Sequence, residues 1–202
     1  MDIASMKDSS ANLKPVLVMI RGLPGSGKSY LATEIQNQTE SGQVILLDPD
    51  ATSYSTEEYI SFSSDLSATG VDEMLHPYRY LRSNAYKAII SGKVIIWNQA
   101  FTNQDLLHRT IVNLQTFAKE KGIELPVLVV EVDIDPAKAK ERVANRAEQG
   151  GHDVSLEKFE RFINDYSSFS EYGYQSITVN GEENVSANAK IIKQEIEKLK
   201  IS

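Results

Sequence analysis

The stretch Gly22-Leu23-Pro24-Gly25-Ser26-Gly27-Lys28-Ser29 lies between two segments of different character. Before it, Val16–Ile20 is a short apolar run that predicts a buried strand, and after it, Tyr30–Ile35 predicts a helix. A strand, a glycine-rich turn, Lys-Ser and a helix in this order are typical of a phosphate-binding loop. The glycines let consecutive backbone N–H groups point inward, and the helix N-terminus adds its positive dipole end. A purely structural turn between strand and helix is the alternative.

The end of this loop carries two side chains suited to a nucleotide. Lys28 would reach the β and γ phosphates of a nucleoside triphosphate, and the Ser29 hydroxyl would bind Mg²⁺. We therefore assign nucleotide binding to Gly22–Ser29 and the adjoining Tyr30, with Ser29 as the metal ligand.

The composition limits the class of protein. With 202 residues, of which 41% are hydrophobic, the chain has the length and apolar content of one domain, with room for a lid-like insertion. Residues 1–14 are polar and lack the features of a signal peptide, so we expect a flexible tail followed by a single domain at residues 15–202.

No apolar run is long enough to cross a membrane, and the absence of cysteine fits a cytoplasmic protein. The net charge of −7 disfavours generic nucleic-acid binding but is compatible with a local basic cleft.

Apolar runs alternate with helical patterns along the chain, which predicts an α/β fold with a mainly parallel, five-stranded sheet flanked by helices. The predicted strands are Val16–Ile20, Val44–Leu47, Val94–Trp97, Val127–Val132 and Ser176–Val179. The predicted helices are Lys28–Asn37, Thr56–Phe62, Tyr78–Ser91, Gln104–Lys121, Pro136–Ala147, Leu156–Ser168 and Ala187–Lys200. Open parallel sheets bind ligands beyond the carboxyl ends of their strands, so the residues that follow each strand are the candidates for function.

Two aspartates follow the second predicted strand, in the sequence Asp48-Pro49-Asp50. A kinase must orient a hydroxyl and accept its proton during attack on the γ phosphorus, and a carboxylate across the crevice from the phosphate loop is suited to that role. We assign the role to Asp50. Asp48 is assigned to substrate binding; coordination of Mg²⁺ through water and the capping of a turn are the alternatives.

A pair of arginines follows the fourth predicted strand. Arg142 and Arg146 are four residues apart and therefore share one helix face. On a lid, at about residues 137–155, they would stabilise the charge of the transferred phosphoryl group, with Gly150-Gly151 as the hinge. Cations on a solvated face near a helix C-terminus are the alternative.

A third group lies at the start of the predicted helix Tyr78–Ser91. His76, Arg79 and Arg82, with nearby tyrosines, could form the pocket for the acceptor, and an ordinary amphipathic helix is the alternative. Trp97, at the end of the third strand, is predicted to belong to the core.

The order of these landmarks resembles the zeta-toxin and polynucleotide-kinase-like branch of P-loop kinases. Val18–Ser29 resembles the opening strand and loop of that family, Leu46–Asp50 its second strand and catalytic aspartate, and Glu141–Arg146 its arginine-bearing lid helix. Gly150–Val154 and Lys158–Tyr166 resemble the segment after the lid, so that the resemblance covers about residues 16–180.

The resemblance implies a P-loop NTPase fold, Mg-ATP as the phosphoryl donor and a hydroxyl acceptor. In its terms Asp50 is the general base, Lys28 the phosphate clamp and Ser29 the Mg²⁺ ligand. Arg142 and Arg146 are the lid arginines, with Arg146 also contacting the nucleotide.

One position departs from the family pattern. The third strand of many relatives ends in an acidic residue that holds the Mg²⁺ shell, whereas here Asn98-Gln99 follows Trp97. Asp48 or Asp133 would then supply the carboxylate.

Three functions are compatible with the sequence. The first is an ATP- and Mg-dependent kinase that acts on a hydroxyl of a small molecule, such as a nucleotide sugar. The second is a polynucleotide 5′-hydroxyl kinase, which the acidic charge disfavours, and the third is a non-catalytic ATP-binding module or switch. A toxin would need an antitoxin partner, which this chain alone does not identify.

Overall fold

The computed structural model describes residues 14–148, 154–167, 169 and 172–201. Five parallel strands form one sheet in the order β2-β3-β1-β4-β5. The strands are β1 (Val16–Arg21), β2 (Val44–Leu47), β3 (Val94–Asn98), β4 (Val127–Asp133) and β5 (Gln175–Asn180). The helices are α1 (Lys28–Asn37), α2 (Glu57–Ala68), α3 (His76–Ile90), α4 (Gln104–Glu120), α5 (Pro136–Glu148), α6 (Leu156–Asp165) and α7 (Val185–Ile201), and a 3₁₀ turn at Glu73–Leu75 precedes α3. The predicted α/β P-loop architecture is confirmed.

Helices cover both faces of the sheet, so its central strands are buried on both sides. Leu17 and Met19 of β1 belong to a core cluster shared with α3 and α4, whereas Val18 and Ile20 belong to one shared with α1 and α7. Trp97 is 3% exposed within the first cluster, which confirms its prediction as a core residue. The continuous apolar runs of the sequence therefore result from burial on two faces rather than one.

Helix α2 is longer than predicted, ending at Ala68 instead of Phe62. Its second half is rich in serine and carries an aspartate, residues of low helix propensity, so the helical signal is weak there. Contacts with α3 support this half: the rings of Phe62 and Tyr80 lie 5.4 Å apart, and Ser63 Oγ lies 2.8 Å from Nδ1 of His76.

Helix α6 is shorter than predicted and ends at Asp165 instead of Ser168. Tyr166 leaves the helical conformation with ψ of 123°, and its ring centroid lies 4.4 Å from the guanidinium carbon of Arg21. The end of this helix is thus set by a contact with a buried cation that is distant in sequence.

Some predictions fall outside the described residues. Residues 1–13 of the expected tail and the Gly150-Gly151 hinge lie there, and the tail, the hinge and the lid bounds stay predictions. Across the described ranges, no helix combines the length and the apolar character that a membrane span requires.

Candidate active site

A cleft of about 880 Å³ lies at the carboxyl edge of the sheet. Its lining includes the phosphate loop from Pro24 onward, Asp50 after β2, residues 98–103 after β3, Arg142 and Arg146 of α5, and Gly181 after β5. The cleft is therefore built by the ends of several strands together with α5.

The phosphate loop has the backbone expected of an anion-binding turn. Gly25 and Gly27 adopt left-handed conformations, with φ of 83° and 98°, which side-chain-bearing residues rarely adopt. Gly27 caps α1 without a side-chain hydrogen bond, so no capping group blocks the first N–H groups of the helix. Tyr30 is 80% exposed and also lines the cleft. The backbone N–H groups of the loop and of the start of α1 are therefore available to bind an anion. The assignment of that anion to a nucleotide stays a prediction.

Lys28 lies folded back on the loop, where its Nζ donates to the carbonyl oxygen of Leu23 over 2.8 Å. Burial is the main reason that the pKa of Lys28 is lowered to about 8; Arg146 adds to this effect, whereas Asp48 and Asp50 oppose it. Within the described residues no carboxylate makes a direct contact with Nζ of Lys28, and a phosphate group at the loop would supply such an anionic partner.

Asp48, Asn98 and Ser29 form a connected polar group that joins the ends of β2 and β3 to the last residue of the loop. Nδ2 of Asn98 donates to Oδ2 of Asp48 over 2.5 Å and to Oγ of Ser29 over 3.1 Å. Asp48 and Asn98 are 5% and 2% exposed. The parallel register pairs Leu47 with Trp97, which places the next residue of each strand side by side. From the sequence, Asn98 stood out only as a non-acidic residue at the end of the third strand; its bridging position depends on strand register and had no sequence signal.

Asp50 lies in the same turn but faces a different environment. Its backbone N–H donates to Oδ1 of Asp48 over 2.9 Å, and the carbonyl oxygen of Asp48 accepts from the N–H and the hydroxyl of Thr52. This turn holds Asp50 at the cleft as an exposed residue. The structure therefore separates the two aspartates into a buried and an accessible one.

Helix α5 brings its arginines to the opposite wall. Nη1 of Arg142 donates to the carbonyl oxygen of Gly181 over 3.1 Å and approaches that of Gly25 at 3.4 Å. Arg146 also lines the cleft and is close enough to Lys28 to influence its pKa. Both predicted lid arginines are thus brought together with the loop.

The basic side chains predicted to form the acceptor pocket do not line this cleft. In the part of the chain that the structure describes, Tyr78 lines the cleft, whereas His76, Arg79 and Arg82 do not. His76 is 1% exposed, with Nδ1 beside Ser63 and Nε2 3.0 Å from the carbonyl oxygen of Val71. Because α3 begins at His76, the first turn directs this ring into the protein, where it joins α2 to α3. The geometry gives no support to the acceptor role of these three residues, which stays a prediction.

Two further features were missed. Gly181 packs so closely on the loop that a Cβ there would overlap the carbonyl oxygen of Ser26. Phe101 lines the cleft with φ of 43°, and its carbonyl oxygen accepts from Nε of the buried Arg21 over 3.3 Å. An Asn-Gly pair after the last strand was the available signal for Gly181, and none existed for Phe101.

The hydroxyl oxygen of Ser29 is a suitable ligand for Mg²⁺, which prefers oxygen ligands and keeps several of its waters. The Ser29 hydroxyl accepts one hydrogen bond and so retains a free lone pair. Among the described residues, no group of three or more His, Asp or Glu side chains could hold a metal by itself. Ser29 would therefore hold the ion together with phosphate oxygens and water.

Two sequence comparisons match most of this chain to known proteins. The sequence model of a family described as AAA domain matches residues 17–168. A thymidylate kinase of Leptospira borgpetersenii is 27% identical over 168 residues, which cover 76% of this chain and 80% of that protein.

Solved structures show the same fold. A provisionally identified kinase from Chloroflexus aurantiacus superposes with a TM-score of 0.62 at 20% identity, covering 90% of this chain and 98% of that one. Kti12 from Chaetomium thermophilum, solved in complex with ADP-AlF3, superposes with a TM-score of 0.61 at 16% identity, covering 91% and 98%. Because the family model covers most of its length, the chain belongs to the AAA domain family.

Proposed function

We propose that this member of the AAA domain family is a kinase that transfers the γ-phosphate of ATP to a hydroxyl of a small molecule. One observation carries the proposal: the accessible carboxylate of Asp50 shares a cleft with the phosphate loop and with the arginines of α5. A nucleotide-binding module has no need of an accessible carboxylate there, whereas phosphoryl transfer to a hydroxyl does. The kinases among its relatives and neighbours favour the same class.

The roles follow from position. Lys28 binds the β and γ phosphates, which replace the Leu23 carbonyl as its partner and favour the charged form of this lysine. Asp50 takes the proton of the acceptor hydroxyl while the hydroxyl oxygen bonds to the γ phosphorus and the bond from that phosphorus to the β-γ bridging oxygen breaks, leaving ADP. Arg142 and Arg146 balance the charge on the phosphoryl oxygens. Ser29 would hold Mg²⁺, which would neutralise part of the triphosphate charge.

A small acceptor such as a nucleotide sugar is favoured over a polynucleotide end. The net charge of −7 opposes the phosphate-dominated attraction on which nucleic-acid binding depends. The resemblance to zeta toxins points to the same acceptor class, and the cytoplasmic location expected from the composition belongs to this proposal.

The test is transfer of labelled γ-phosphate from ATP with Mg²⁺ to nucleotide sugars, nucleosides and a 5′-hydroxyl oligonucleotide. Asp50→Asn should lower kcat by about 10²–10⁴-fold, because it removes the general base. Its affinity for ATP should stay within a few fold. Asp65→Asn is the matched control, since Asp65 is an exposed residue of α2 that does not line the cleft.

Three results would contradict parts of the proposal. Collapse of ATP affinity in Asp50→Asn would make this residue a structural or metal-organising group. Labelling of the oligonucleotide alone would identify a polynucleotide kinase. ATP binding without transfer to any acceptor would leave a binding module.

A further inference from the structure

We propose that Asp48 and Asn98 act as one metal-organising pair, in which the Asn98 amide links the carboxylate of Asp48, directly after β2, to the Ser29 hydroxyl. The inference rests on the proposed function, since it concerns the ion that accompanies the nucleotide. In many members of the family that the sequence resembles, an acidic residue at the end of the third strand organises the metal. In this chain the proposal gives that role to Asp48, at the end of the neighbouring second strand.

The hydrogen bonds of Asn98 fix its orientation. Both of its amide contacts, to Asp48 and to Ser29, are made by Nδ2, whose two hydrogens are thereby used. Exchange of the amide oxygen and nitrogen would set Oδ1 against the Asp48 carboxylate at 2.5 Å, which is repulsive. Asp48 therefore determines that Nδ2 faces the loop serine.

This orientation leaves Oδ1 of Asn98 buried and, among the described residues, without a hydrogen-bond partner. Asn98 is 2% exposed and lines the cleft, so a donor must come from a molecule bound there. Water molecules bound to a metal ion are strong donors, and Mg²⁺ retains several of them. The unpaired oxygen thus indicates hydrated metal at Ser29.

The surroundings of the Asp48 carboxylate indicate a metal ion at Ser29 independently of the unpaired Asn98 oxygen. Its carboxylate accepts from the backbone N–H of Asp50 and the amide of Asn98, both neutral, and no described Lys or Arg forms an ion pair with it. Even Lys28 donates to the Leu23 carbonyl instead. The hydrogen bonds of this carboxylate, which is 5% exposed, come from neutral groups, and Lys28 acts on it only as a nearby charge without a direct contact; a cation at Ser29 would add a closer countercharge.

Asp133, the other carboxylate considered for this role, is placed less favourably. It is exposed and lies outside the lining of the cleft within the described residues, and its backbone oxygen accepts from the N–H of Gly181. The pairing of β2 with β3 instead places Asp48 directly beside Asn98.

A charge swap tests the pair without requiring catalysis. The readout is the affinity for a fluorescent ADP analogue, measured with Mg²⁺ and with chelator, for the natural protein and four variants. Asp48→Asn should reduce the Mg²⁺-dependent gain in affinity by about 10–100-fold, the usual loss for groups that support a metal ligand, while affinity in chelator stays unchanged. Asn98→Ala, which keeps the carboxylate but breaks the link, should reduce it as well.

The double variant Asp48→Asn/Asn98→Asp is the decisive one. It exchanges the two groups, so that an amide again faces a carboxylate at the same place, and it should recover most of the Mg²⁺-dependent gain. Asp133→Asn is the matched control and should behave as the natural protein does.

The pair is refuted if Asp48→Asn and Asn98→Ala retain the full effect of Mg²⁺, or if the double variant is no better than Asp48→Asn. Far-ultraviolet circular dichroism of each variant identifies loss of fold, in which case the remaining variants decide. Because binding is measured without an acceptor, a protein that phosphorylates nothing can still pass this test, and a kinase can fail it.

Discussion

Replacing Glu131 by Gln should destabilise the protein strongly, because it leaves the charge of Arg21 buried without its counterion. Arg21 is the residue before the phosphate loop, and its side chain is fully buried. Its Nη1 donates to Oε2 of Glu131 over 2.5 Å and to the carbonyl oxygen of Ser167 over 2.9 Å. The same Oε2 accepts from the N–H of Phe169 over 3.0 Å. One carboxylate thus joins β1, β4 and the segment after α6.

The size of the effect follows from burial. Breaking a buried ion pair by neutralising one partner costs about 3–5 kcal/mol. The amide oxygen of Gln can still accept from Phe169 or from Arg21, and the ring of Tyr166 faces the cation at 4.4 Å, so the lower end applies. For a domain of this size each kcal/mol lowers Tm by about 2–4 °C, and the expected loss is therefore about 6–12 °C.

Thermal unfolding followed by circular dichroism measures this loss, and the chain offers a matched control. Glu58 pairs with Lys87 over 2.8 Å, but the two side chains are 63% and 64% exposed. Glu58→Gln makes the same chemical change in water, and it should lower Tm by less than about 2 °C. Equal and small losses in both variants would show that the buried charge of Arg21 does not depend on Glu131, and the reasoning would fail.

Two further predictions concern the loop. Because burial lowers the pKa of Lys28 to about 8 and phosphate restores its charge, nucleotide binding at pH 8 should take up roughly half a proton, and affinity should weaken as the pH rises further. Calorimetry in buffers of different ionisation enthalpy measures the uptake; uptake that persists in Lys28→Met would exclude this residue as its source. Gly181→Ala should weaken nucleotide binding and lower Tm by about 2–12 °C, since its Cβ would overlap the Ser26 carbonyl. Gly42→Ala, whose Cβ meets no atom within 4 Å, should leave the affinity unchanged, and unchanged affinity in Gly181→Ala would contradict the close packing.

Most of the fold could be predicted because its signals are local. Runs of apolar and β-branched residues predicted the five strands, of which the central β1, β3 and β4 are buried on both faces, and α1 has the predicted bounds, Lys28–Asn37. The errors lie where distant contacts decide: Tyr166 leaves α6 to pack on Arg21, and Ser63 with His76 supports the serine-rich half of α2. Neither contact leaves a periodic pattern in the sequence.

The candidate site was predictable to the extent that it lies on strand ends. Topology alone brings Asp50 and the phosphate loop to one edge of the sheet, and both line the cleft. The link from Asp48 through Asn98 to Ser29 needed the register between β2 and β3, which no single segment encodes. His76 shows the converse, since a residue type suited to binding was directed inward by the position at which its helix begins.

The site combines a backbone that is held in place with cationic side chains that can move. The loop leaves β1 at a rigid point: Arg21 is held by Glu131, and the N–H of Gly22 donates to the carbonyl oxygen of Ala100 over 3.2 Å. The cations that would meet the phosphates, Lys28 and Arg142, instead rest on backbone carbonyl oxygens, which phosphate oxygens can replace. Nucleotide binding therefore needs side-chain movement but little rearrangement of the loop, and an already ordered backbone lowers the entropy cost of binding. Glu131→Gln should for this reason affect nucleotide affinity as well as stability, because it loosens the point from which the loop begins.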